Sequence, residues 1–187
     1  MNLMNLFCRG QEFKRRLEQS RARLYRLAYS WCHDAALADD LTQETLEKAL
    51  KKKDQLRDPA ALDTWLFSIL TNSWRDHFRR SRDTVDIDDV PLEHSVTPEH
   101  EHQQHQVVHA VRAAIAQLPV GQRQVVTLVD LEDCSYIEVA QILSVPVGTV
   151  MSRLCRARRA LKEALLDSNL VPQPESATPM QRIRRIK

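Results

Sequence analysis

Six polar residues between positions 149 and 159 carry the most specific chemistry in this sequence. At about 100° per residue in a helix, Val150, Leu154, Ala157 and Leu161 fall on one narrow face. Ser152, Cys155, Arg156 and Arg159 fall opposite them, with Thr149 and Arg153 on the flank. Arginine can grip a guanine edge with two parallel hydrogen bonds. Serine and threonine near a helix start can bond phosphates beside the positive end of the helix dipole. The chemistry these residues support is recognition of duplex nucleic acid, not the making or breaking of bonds.

Other chemistries find little support. Three glycines leave no glycine-rich phosphate loop, and no nucleophile–base signature stands out. The four cysteines, at 8, 32, 134 and 155, form no C-x-x-C pair, which fits a reducing compartment. His100, His102, His105 and His109 cluster at helix-like spacing and could in principle hold a metal, but a polar, solvated helix start accounts for them much better. No metal, cofactor or enzymatic activity is therefore expected. Apolar runs such as Trp65-Leu66-Phe67 are far too short to cross a bilayer, and no signal peptide opens the chain. The expectation is a cytoplasmic protein with no direct membrane insertion.

The recognition face needs a helix held at a set angle, and the preceding residues supply one. Ser135 with Glu138 three positions on forms a capping box, which opens a short helix to Leu143. Ser144-Val145-Pro146 interrupts it, and a second helix begins near Val147. Short helix, three-residue turn, helix with an apolar back and an Arg/Ser/Thr front is the geometry of a DNA-reading helix-turn-helix. The plainer alternative is a solvated arginine face on a bundle helix.

Helical patterns also fill the first half. Leu17, Leu24, Leu27, Ala28 and Trp31 recur at helical spacing, and a second helix with Leu37, Leu41 and Thr45 follows the Asp34 cap. On that second helix Asp40, Gln43, Glu44 and Glu47 form one polar, mostly acidic stripe. On composition alone it is a solvated face balanced by Lys48 and Lys51 to Lys53. Asp58-Pro59 opens a long helix to about Arg82 with two apolar stripes: Leu62, Leu66, Ile69 and Ser73, then Phe67, Trp74 and Phe78. Arg75, Arg79, Arg80 and Arg82 interleave with the second stripe. Aromatic faces beside arginines suit stacked single-stranded bases, and two buried stripes suit a helix packed on both sides; Phe67 reads as core and Trp74 fits either. Thr97-Pro98 repeats the start signal before Val107, Val108, Val111, Ala114 and Leu118. Pro119-Val120-Gly121 breaks the pattern, and Val125, Val126, Leu128 and Val129 suggest a strand by type, but their short length between helical neighbours favours a short helix.

Charge divides the chain. Residues 12–82 hold 15 basic and 11 acidic residues, whereas 83–105 hold seven acids and no Lys or Arg. Residues 106–167 hold seven basic and six acidic residues, and the tail from 168 holds four and one. An acidic run containing Pro91 and Pro98 cannot readily bury apolar surface and reads as a linker. The expectation is all-α: two small helical domains at 12–82 and 106–167, an acidic linker at 83–105, and a disordered basic tail at 168–187.

The stretch SYIEVAQILSVPVGTVMSRLCRARRAL resembles the promoter-reading motif of extracytoplasmic-function (ECF) sigma factors, sigma-E-like members of the sigma-70 family. LYRLAYSWCHDAALADDLTQETLEKAL resembles their polymerase-binding segment, and TWLFSILTNSWRDHFRR their promoter-melting segment. The resemblance covers roughly residues 12 to 167, in the family's order. It implies a factor that binds core RNA polymerase and directs it to promoters under the control of a cognate anti-sigma factor. It assigns Asp39, Asp40, Leu41, Gln43 and Glu44 to the coiled coil of the polymerase β′ subunit, with the β subunit as a further contact. It assigns Asn72, Trp74, Arg75, Asp76, Arg79 and Arg80 to the melted −10 element. Tyr136, Thr149, Met151, Ser152, Arg153, Cys155, Arg156 and Arg159 are assigned to −35 duplex. In the family the linker runs through the polymerase's RNA-exit path, where Asp86, Asp88 and Asp89 would mimic RNA. Ser144 departs from a frequent glycine, and Met151 from a frequent basic residue that could donate to DNA. An autonomous helix-turn-helix regulator that binds as a dimer, and a polymerase-binding mimic that reads no DNA, remain the alternatives.

Overall fold

The computed structural model describes the backbone of residues 3–84 and 103–167, and the side chains of 11–80 and 107–166. Seven α-helices run through them with no strand among the described residues: α1 Leu3–Cys32, α2 Ala35–Lys51, α3 Leu62–Thr84, α4 Gln103–Gln117, α5 Val120–Val126, α6 Tyr136–Leu143 and α7 Val147–Asp167. The expected all-α fold is what forms. The first helix of the second half starts at Gln103, so the last three residues of the expected linker are helical. The acids from Asp86 to Glu101, His100, His102 and the tail from Ser168 lie outside the described residues.

Local chemistry sets the helix boundaries. His33 takes a positive φ of 55° and turns the chain, after which the Asp34 carboxylate accepts from the Leu37 amide and starts α2. Asp58 likewise accepts from the Ala60 amide, but the turn it caps, Pro59–Ala61, is a tighter 3₁₀ turn leading into α3. Val125 to Val129 are helical, as expected, but do not form one regular helix. They span the end of α5 and a π-helical turn over Thr127–Leu131. That wider turn swings Thr127 and Leu128 inward, where both are fully buried.

Around α1, α2 and α3 the core is built from Leu24, Leu27, Trp31, Leu41, Leu66, Phe67 and Leu70. Around α5, α6 and α7 it is built from Val125, Leu128, Val139, Ile142, Val150 and Leu154. The two sets join into one continuous cluster. Val150, Leu154 and Ala157 bury the back of α7 as their spacing predicts, with Leu161 packed at the edge.

Between α6 and α7, Ser144 closes the first helix in the left-handed conformation, with φ 51° and ψ 49°. An L-residue there costs about 1–2 kcal/mol, and glycine's extra freedom in the unfolded chain offsets about 0.5–1 kcal/mol of the relief. Ser144→Gly is therefore expected to raise the urea midpoint, by about 0.5–1 kcal/mol of stability. A lowered midpoint would contradict the strain at this turn.

Candidate nucleic-acid interface

The recognition face is built from the capping box outward. The Ser135 hydroxyl accepts from the Glu138 amide, while the Glu138 carboxylate accepts from the Ser135 amide at 2.8 Å. The hydroxyl and amide of Ser135 hold the Glu138 carboxyl below the usual carboxylate range. α6 packs against α7, and its Val139, Ile142 and Leu143 are buried in the core.

On the front of α7, Met151, Ser152, Cys155, Arg156 and Arg159 are exposed, and Thr149 and Arg153 are half-buried. Met151 is 54% exposed, a large apolar side chain standing in solvent. Arg153 folds back along α5, where a Cβ at Gly121 would come within 3.2 Å of its guanidinium. Gly121 therefore leaves the space in which Arg153 lies. Arg158 was not singled out in the sequence, yet it pairs with Asp130 through two bonds of 3.1 and 2.5 Å and so ties α7 to the π turn. Spacing could have hinted at none of this, because Asp130 and Arg158 are 28 positions apart. Tyr136, at the start of α6, is exposed.

On α2 the structure separates the residues that the resemblance groups. Asp39, Asp40 and Gln43 are exposed and Glu44 is half-buried, but Leu41 is almost wholly inside the core. Its apolar side chain points away from the acidic stripe, so it supports that surface from behind and is not part of it. Arg21 reaches Asp39 at 3.3 Å, and Lys48 reaches Glu44 at 2.8 Å while donating to Ser73. These exposed pairs contribute little to stability and leave most of the stripe open.

On α3 the aromatic stripe splits. Phe67 is core, and Trp74 is only 6% exposed, edge-on to Trp31 at 6.3 Å and against Phe78 at 4.3 Å. Trp74 is thus a packing group in this conformation, with no ring face free for a base. Phe78, Asn72, Arg79 and Arg80 are exposed, and Asp76 accepts from Arg79 at 3.1 Å. Arg75 is turned across to the second half, where it donates to the Leu143 carbonyl at the end of α6. Among the described residues no three His, Cys, Asp or Glu side chains group to hold a metal, and no helix is long and apolar enough to cross a membrane.

Comparisons with known proteins agree with this geometry. Residues 17–84 match the family described as sigma-70 region 2, and residues 109–161 match sigma-70, region 4. The chain is 36% identical over 138 residues to the ECF RNA polymerase sigma factor EcfG of Rhodopseudomonas palustris, covering 74% of this chain and 76% of that one. It is 34% identical over 151 residues to the RNA polymerase sigma-H factor of Pseudomonas aeruginosa, covering 74% and 78%. Among solved structures it resembles the Bartonella quintana sigma factor RpoE in complex with the anti-sigma factor NepR. There the TM-score is 0.67 at 29% identity, over 83% of this chain and 98% of that one. It also resembles CnrH in complex with the cytosolic domain of CnrY, with a TM-score of 0.60 at 26% identity over 85% and 90%. The relatives carry several different sigma names and resolve no subgroup. With both regions matched in order and a relative above one-third identity along most of its length, the chain belongs to the ECF sigma factors of the sigma-70 family, which bind core RNA polymerase and direct it to promoters.

Proposed function

We propose that three surfaces of this chain divide the work of promoter recognition. Asp39, Asp40, Gln43 and Glu44 on α2 meet basic side chains of the polymerase β′ coiled coil, with Leu41 holding the helix from behind. Asn72, Arg75, Asp76, Arg79 and Arg80 on α3 take the melted −10 strand, with Trp74 as the packing support behind them. Thr149, Met151, Ser152, Arg153, Cys155, Arg156 and Arg159 on α7, with Tyr136 beside them, read −35 duplex. The observation that carries this reading is the front of α7. Ser152, Arg156 and Arg159 project into solvent from a helix whose back is locked into the core, as a groove-reading helix requires.

The factor acts by binding, and RNA synthesis stays with the core enzyme. Its place of work is the cytoplasm, where polymerase and promoter meet. The two solved relatives were determined with anti-sigma factors, and we extend that control to this chain: a protein anti-sigma factor holds it off the polymerase.

Run-off transcription with purified bacterial core polymerase, on the DNA upstream of this protein's own reading frame, tests the reading. A transcript that requires both proteins supports it. A protein that binds neither core nor melted promoter but shifts intact duplex alone is an autonomous regulator, and the reading fails. Arg156→Ala is expected to cost about 1–3 kcal/mol in −35 duplex affinity, up to roughly a hundredfold, with core affinity unchanged. An unaltered promoter affinity would remove Arg156 from the interface. Asp40→Lys with Glu44→Lys is expected to lower core affinity at least about tenfold, and less at high salt. Unchanged binding at low salt would exclude the acidic stripe.

A further inference from the structure

The front of α7 is not uniform across its width. At about 100° per residue, Thr149, Ser152 and Arg156 rise along one edge, while Gly148, Met151 and Cys155 rise along the other at i, i+3 and i+7. Both edges stand toward the N-terminal end of the helix, the end that a groove-reading helix points at base edges. The first edge is rich in hydrogen-bonding groups. The second has almost none, because glycine offers no side chain, a thioether donates nothing and a thiol donates weakly.

Nothing inside the fold accounts for the second edge. Met151 and Cys155 are both exposed, so neither packs the core. Gly148 has neither a positive φ nor a crowded Cβ position, since a methyl added there finds no other part of the fold within 4 Å. Alanine would fit and would favour the helix more. Gly121 differs, because a Cβ there meets the Arg153 guanidinium at 3.2 Å. A glycine that the protein's own packing does not need, in the first turn of α7 and in line with two sulfur side chains, leaves room for another body to approach the backbone closely.

The chemistry of the major groove defines what this edge fits. Among the four bases only thymine carries a C5 methyl there, and apolar side chains recognise it by contact. Methionine, unbranched and polarizable, adapts well to such a small apolar surface. Ser152 completes the match from the boundary between the edges. Its hydroxyl proton goes to the Thr149 carbonyl at 3.0 Å, so the exposed oxygen presents lone pairs. A lone pair accepts equally from the amino group of adenine or of cytosine and does not tell them apart. The methyl does, because adenine pairs with thymine and cytosine with guanine.

We propose that the edge formed by Gly148, Met151 and Cys155 reads thymine methyl groups and so selects T·A pairs within the −35 element, while the opposite edge supplies the hydrogen bonds. Gly148 lets the groove wall close on the helix, and the two sulfur side chains then reach the methyls. Met151 is a specificity-determining residue because it lacks a donor. Resting on the reading of α7 as the −35 helix, this names the base feature which that helix recognises.

The test is equilibrium binding of the holoenzyme, formed with the full-length protein, to the DNA fragment upstream of the protein's own reading frame. Each thymine of the −35 element, on either strand, is replaced in turn by deoxyuridine, which keeps the base pair and removes only the methyl. With the unaltered protein, at least one replacement is expected to weaken binding about fourfold, equivalent to about 0.8 kcal/mol for one buried methyl-sized group. In Met151→Ala or Cys155→Ala the same replacement is expected to change binding less than about 1.5-fold, whereas Arg156→Ala keeps the full methyl effect. Gly148→Ala is expected to raise the urea midpoint and yet weaken duplex binding at least about threefold, a split that a purely structural glycine would not produce. Deoxyuridine without effect at every position would overturn the methyl reading, and a loss of binding in Arg156→Ala would then leave α7 as the −35 helix. A methyl effect undiminished in both sulfur variants would also overturn it. If neither deoxyuridine nor Arg156→Ala altered binding, both readings would fall.

Discussion

The indole of Trp31 is the point on which both halves of the molecule depend. It sits at the end of α1, 1% exposed, with its ring edge-on to Trp74 and its N–H satisfied by Thr127 in the π turn. A buried indole without an acceptor would cost about 1–3 kcal/mol, so the tryptophan and the threonine constrain each other. Thr127 is in turn anchored by donating to the Arg123 carbonyl at 2.8 Å and to Gln124 at 3.1 Å. The wider π turn, the inward threonine and the end of α1 are thus one arrangement.

Arg123 completes it. Its guanidinium donates to Trp31 at the end of α1 and to Ala116 and Leu118 at the end of α4. It gathers two helix C-termini whose carbonyls have no helical partners and whose dipoles are negative. Burial weakens its hold on its proton, yet those carbonyls give the charge what water would otherwise supply. The junction between the two halves is bridged by an indole and three guanidinium groups.

Elements whose determinants are local in sequence were legible. The Ser135–Glu138 capping box forms with both its bonds, the back of α7 buries as its spacing predicts, and the α1 stripe from Leu17 to Trp31 is core. Quoted motifs also identified the family. The junction was not legible, because Arg23 and Glu132 lie 109 positions apart, and Arg23, Arg75 and Arg123 are indistinguishable in sequence from solvated charges. Trp74 fitted two readings because a stripe beside arginines serves a core and a DNA face equally well. Leu41 was grouped with acidic neighbours that the helix turns to the opposite side. The end of α5 was read as regular because nothing in Val125 to Val129 signals a π turn.

Small-angle X-ray scattering of the free full-length protein tests the sealed junction most directly. A closed body predicts a pair-distance distribution with one maximum and a radius of gyration near the value for a compact chain of this length, about 16 Å. A distribution with two maxima, as from two bodies held apart on a tether, would contradict it.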